Sequence, residues 1–99
     1  MKIDFEARRC PNAQTYLNMI LEGFINSEIK TVTLITIEPS LLRSLRERIA
    51  HYEMPISITD IEDGVISNEH IKAWQHDYDE DDYGDVEQVS YIKIQKNNT

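Results

Sequence analysis

With one cysteine, Cys10, the chain has no internal disulfide and too few soft ligands for a thiolate-built zinc or iron–sulfur site. Glycine occurs only at Gly23, Gly64 and Gly84, so no glycine-rich loop is available to cradle a nucleotide phosphate. No apolar run approaches the roughly 18 residues that a membrane-spanning helix needs. Positive charge is scarce too: 10 lysines and arginines face 18 acids, for a net charge of −8. The deficit is lopsided, with seven basic and eight acidic side chains up to residue 60 and three against ten beyond it. Such a surface repels nucleic-acid phosphates, and direct DNA or RNA binding is not expected.

What remains is enough for one domain, residues 1–99, with one modest core. The opening Met1-Lys2-Ile3-Asp4-Phe5-Glu6 meets acids before an apolar segment forms, which argues against a secretory signal and makes the cytoplasm the expected compartment. His51, His70 and His76 lack the spacing that puts two imidazoles on one helical face, and neither a metal nor a cofactor is expected.

Alternation of Ile3 and Phe5 with polar residues predicts a first strand over 2–6. Apolar residues at Ala13, Tyr16, Leu17, Ile20, Leu21, Phe24 and Ile25 then form one stripe of a helix over 11–26. Residues 31–37, all β-branched or leucine, predict an interior strand. A second helix begins at Pro39 or Ser40 and carries Leu41, Leu42, Leu45, Ile49 and Tyr52 on one face. Residues 54–61 read as a strand, and Val89 to Gln95 as the last one, followed by a polar tail, 96–99. Between them lie 62–87, without a clear core pattern except a short helix over 67–75 capped by Ser67. The order β-α-β-α-β-β predicts an α/β, two-layer sandwich: a mixed four-stranded sheet with both helices on one face and the other face exposed.

The chemistry concentrates at Arg8-Arg9-Cys10-Pro11-Asn12. Pro11 suits the first helical position, which makes Cys10 the N-cap; Asn12 is the rival cap. Free cysteine is often a small buried hydrophobe, but amides at a helix end and two guanidinium groups favour an exposed, reactive thiolate.

These residues resemble the TusA/SirA-like family of small sulfur carriers, whose signature is a strand-1 aspartate followed by Arg-Cys-Pro-x-Pro at the start of helix 1. The matching residues are Asp4, Arg9, Cys10 and Pro11, with Glu38-Pro39 at the turn into helix 2. The likeness covers about 2–61 and 89–96; the stretch 62–88 looks like an acidic insertion into a single TusA-like domain. Ala13 stands where the second proline belongs, Ala7 where a glycine is usual, and Arg8 at a position that is normally apolar. The resemblance implies a persulfide relay on Cys10 between a cysteine desulfurase and a thiol-bearing acceptor protein. Arg9 would be its electrostatic neighbour, Pro11 the helix starter and Asp4 a structural anchor.

Residues 77–85 hold six acids in nine positions and are expected to be solvated and mobile. They do not fit a calcium loop: counted from Asp77, Asp82 falls at the glycine position and Gln88 at that of the bidentate glutamate. Trp74, Tyr78 and Tyr83, interleaved with these acids, are candidate anchors for a basic protein partner, or else they pack the segment onto the sheet. This leaves a second functional expectation, a non-catalytic adaptor that binds through the acidic aromatic segment.

Overall fold

Thr31–Thr36 forms the strand around which the sheet is assembled, called β2, and its Val32, Leu34 and Thr36 are buried in strict alternation. The computed structural model describes residues 1–97; Asn98 and Thr99, part of the expected polar tail, lie outside the described residues. On one side β2 pairs in parallel with β1 (Lys2–Asp4), Ile3 opposite Leu34. On the other it pairs antiparallel with β4 (Gln88–Lys96), Leu34 opposite Ile92. β4 in turn pairs antiparallel with β3 (Ile56–Val65), giving the mixed sheet order β1-β2-β4-β3.

Among the described residues four helices complete the α/β fold: α1 (Asn12–Ile25), α2 (Leu41–His51), α3 (Asn68–Trp74) and α4 (Glu80–Tyr83). Leu17, Leu21 and Phe24 of α1 and Leu41 and Leu45 of α2 bury their stripe in one cluster with Val32, Leu34, Ile92 and Ile94 of the sheet. Burial of side chains of this size contributes about 1.5–3 kcal/mol each, which makes this cluster the main source of stability.

The structure departs from the sequence expectations at four points. β1 stops at Asp4 rather than 6, because Glu6 adopts a left-handed backbone (φ 54°) that ends the extended run, although the Phe5 N–H still reaches the Ile35 carbonyl. β3 continues to Val65, and Gly64 and Val65 pair with Val89 and Gln88. Its charged Glu62 and Asp63 hid it, yet a sheet-edge strand carries such residues readily. Lys96, expected in the tail, is the last residue of β4.

The fourth concerns residues 77–85, expected as an acidic loop; the short helix expected just before them, capped by Ser67, is present. The chain turns into α3 behind a reciprocal cap: Ser67 Oγ accepts from the His70 N–H, and His70 Nδ1 accepts from the Ser67 N–H. Residues 80–83 form α4 rather than a loop, with Asp82 Oδ2 accepting from the Asp79 N–H and three acids in its first turn, where the helix dipole favours them. Trp74, Ala7, Ile37 and Val89 build a second buried cluster, packed by Ile35, Ile71, Tyr78, Tyr83 and Tyr91. Ile35 and Tyr91 are register partners, and strand alternation points them opposite to Leu34 and Ile92. The sheet face expected to be bare is therefore covered here by the 62–87 segment.

Candidate functional site

The Arg8–Pro11 turn joins β1 to α1 and is held from below by a residue that sequence reading treated only as part of a turn, Glu38. Glu38 follows the buried end of β2, so its carboxylate rises between the β1–α1 and β2–α2 connections. Oε1 accepts from the Cys10 N–H at 3.0 Å and from Arg9 Nε at 3.3 Å. Oε2 accepts from the Ser40 N–H and from the Ser40 hydroxyl, each at 3.2 Å. The Glu38 side chain is 9% exposed. Burial pushes its carboxyl up, but the amides of Cys10 and Ser40 and the charge of Arg9 outweigh this and hold it below the ordinary glutamate range. An acid directly after an interior strand, facing an arginine-rich turn, was the signal available in the sequence.

Arg9 ties three segments together. Besides Glu38, its Nη1 donates to the Asp82 carbonyl at 2.9 Å and to Asp85 Oδ1 at 2.6 Å, and Nη2 donates to Asp85 Oδ2 at 3.3 Å. This two-pronged guanidinium–carboxylate geometry is the strong form of the interaction. The hydrogen bond to Asp85 holds the Arg9 proton more firmly than usual, against the opposing effect of burial, and the same bond lowers the Asp85 carboxyl. The cysteine turn and the end of α4, 76 residues apart in sequence, are thus joined directly.

Cys10 itself is exposed, and its Sγ lies 3.4 Å from Ser40 Oγ. Because a carboxylate only accepts, the Ser40 hydroxyl that bonds Glu38 donates to it and is left to accept from the thiol. The expected helix cap is not realised by either candidate. Thr15 N–H donates to the Pro11 carbonyl, Pro11 takes the N-cap position, Asn12 is the first helical residue, and Cys10 lies one residue outside the helix. No side chain caps this end. A helix-end field fades within a turn, so its hold on the sulfur is weaker than the sequence suggested.

The expectation of two positive charges beside the thiol also needs correction. Arg8 directs its guanidinium to the Phe5 carbonyl and to Glu6 Oε1, and lies over the Tyr16 ring at 4.2 Å. Arg9 is matched by two carboxylates, Glu38 and Asp85. The fixed charges of this frame sum to a negative value, and what Cys10 gains is a clamped backbone rather than a surplus of positive charge. Asp4 acts locally, its Oδ1 accepting from the Glu6 N–H at 2.7 Å and bracing the strained residue.

Of the three aromatics considered as partner anchors, Trp74 is buried, stacked on His70 and tilted against Tyr83. Tyr78 and Tyr83 are half-buried in the same cluster, where burial raises the Tyr78 hydroxyl above its ordinary range. Trp74 is thus unavailable as a surface anchor; the rings pack the segment down. Among the described residues no three His, Cys, Asp or Glu side chains converge to hold a metal ion, and no helix is long and apolar enough to cross a membrane. No protein-family model, curated protein or solved structure matches this chain.

Proposed function

We propose that the protein is a small sulfur carrier of the TusA/SirA-like kind, cytoplasmic, with Cys10 as the relay thiol between a cysteine desulfurase and a thiol-bearing acceptor protein. The observation that carries this reading is the presentation of the only cysteine: Sγ is exposed while the backbone beneath it is fixed by Glu38. On the same reading the architecture is a two-layer sandwich with α1 and α2 on one face, as in the resembled family, and residues 62–88 are an insertion folded against the relay turn.

The chemistry needs no general base from the fold. The Cys10 thiolate attacks the outer sulfur of a donor persulfide; an S–S bond forms on Cys10, the donor's S–S bond breaks, and the donor leaves as a thiolate. An acceptor thiolate then attacks the same outer sulfur and releases the Cys10 thiolate, so sulfur moves with no net oxidant or reductant. The carrier contributes access and position, and Arg9 and Ser40 keep the turn in shape.

Incubation with a desulfurase and cysteine, followed by intact mass, tests this. One added sulfur is expected on the wild type and none on Cys10→Ser; no adduct with any of several desulfurases refutes it. The second reading, an adaptor binding through the acidic segment, is favoured by one feature, the exposed carboxylates of Asp77, Asp79, Glu80 and Asp81. It requires partner binding that survives Cys10→Ser and is lost when residues 76–88 are shortened.

A further inference from the structure

β3 forms one border of the sheet: its inner side is laddered to β4, and among the described residues no strand pairs with its outer side. The opposite border, β1, is three residues long, whereas β3 runs for ten. A one-residue bulge at Thr59, whose hydroxyl donates to the Lys93 carbonyl, divides β3. From Asp60 to Val65 the register with β4 is then unbroken.

The direction of each peptide group in this stretch follows from the ladder. Just beyond it the Ile66 N–H donates to the Glu87 carbonyl, and in an antiparallel pair the residues that bond across alternate with residues whose groups point away. Glu62 and Gly64 therefore bond to β4, while Ile61, Asp63 and Val65 turn their N–H and C=O groups outward. An open row of this kind is a template for another strand. At its end Val65 is 79% exposed, the most exposed large apolar side chain among the described residues.

Charge decides what kind of strand fits. Asp60, Glu62 and Asp63 are all exposed, and β3 contains no lysine or arginine. Alternation places Asp60 and Glu62 on the face that carries Lys93 and Tyr91. Ile61, Asp63 and Val65 lie on the other face, where Asp63 Oδ1 accepts from the Ser90 hydroxyl at 2.7 Å. Lys93, the register partner of Asp60, offsets part of the charge and leaves the row negative. Two copies of β3 laid edge to edge would set these acids against each other, and like charges on paired strands are destabilising. We infer that the outer edge of β3 takes up an extended, basic segment of a partner protein as a fifth strand. Lysine or arginine at alternate positions of that segment lies beside Asp60 and Glu62, and apolar residues between them lie beside Ile61 and Val65. The outward peptide groups of Ile61, Asp63 and Val65 supply the ladder, and the acids select the charge. The inference is independent of sulfur transfer, because no β3 residue takes part in the Cys10 turn.

The probe is an octapeptide of alternating lysine and valine with both ends blocked, titrated into the full chain and followed by amide hydrogen exchange in NMR. Exchange at Ile61, Asp63 and Val65 should slow as the peptide is added, while Glu62 and Gly64, already bonded to β4, keep their rates. Val65→Pro removes an N–H that β4 does not use, a change that a border strand accepts, and should weaken binding about fivefold with the unfolding midpoint unchanged. Glu62→Lys, at an exposed site, should weaken it about five- to tenfold, and Cys10→Ser should leave it as it is. A peptide with glutamate in place of lysine should not bind. Unchanged exchange at the three amides at millimolar peptide, equal binding of the glutamate peptide, or slowing confined to the acidic residues of α4 overturns the inference. So does a dimer in sedimentation that dissociates in Val65→Pro, since a second copy would then be the occupant.

Discussion

Replacing Glu38 by glutamine is the most direct perturbation of the cysteine turn, because it keeps the shape and removes the charge. The carboxylate accepts four hydrogen bonds, from Cys10 N–H, Arg9 Nε and the Ser40 N–H and hydroxyl. Glutamine has one accepting oxygen. It is best placed at the Oε1 position, since an amide nitrogen there would face two donors. The nitrogen then meets the Ser40 N–H, whose bond is lost, and the Ser40 hydroxyl must reverse to accept. One lost amide partner together with the weakening of bonds that had a charged acceptor costs about 2–4 kcal/mol. With a typical urea slope for a chain of this size, the unfolding midpoint falls by roughly 1–3 M.

The pH dependence is the sharper part of this prediction. Glu38 titrates below its ordinary value of 4.5 in the folded protein, so its stabilisation is fully present above 4.5 and is lost as pH falls through the lower, folded value. Glutamine cannot titrate. The stability gap between wild type and Glu38→Gln should therefore be constant near neutrality and close at the acid end, and exchange of the Cys10 amide hydrogen should be faster in the variant. A gap that stays undiminished through the acid range, or a variant as stable as wild type, would refute the assignment of Glu38 as the clamp.

Three further outcomes follow from the same contacts. Trp74→Ala should destabilise by about 3–5 kcal/mol in urea unfolding, because the ring is 3% exposed and anchors the second cluster. Arg9→Met should release α4, seen as faster hydrogen exchange over 80–85 and a red-shifted emission of the only tryptophan, with exchange in β2 and β4 unchanged; in the wild type added salt should move α4 exchange the same way, since Asp85 is 65% exposed. Ser67→Ala should cost about 1 kcal/mol, the usual loss of a helix cap, and should raise exchange at the first turn of α3.

The α1, β2, α2 and β4 segments and the start of α3 were legible because each carries a local signal: the stripe from Ala13 to Phe24, the β-branched run of β2 and the Ser67 cap all act over a few residues. What was not legible depends on partners far along the chain. The pairing of Gly64 and Val65 with β4 and the bridge from Arg9 to Asp85 are settled by tertiary contact, against local signals that read as loop and free charge, and tertiary contact also decides for Trp74 between the two alternatives the sequence leaves open, in favour of packing. The cysteine turn was found by its composition, but its electrostatics were misjudged because the neutralising carboxylates lie 29 and 76 residues away from Arg9.

Among the described residues β4 leaves the ribosome after the other seven elements, yet it lies between β2 and β3 and supplies the hydrogen-bonded ladder to both. Until it emerges, a growing chain holds only the short β1–β2 pair, with the inner edge of β2 and the whole of β3 unzipped. Synthesis that stalls before residue 88 therefore leaves a sticky, half-built sheet, the kind of species that chaperones recognise.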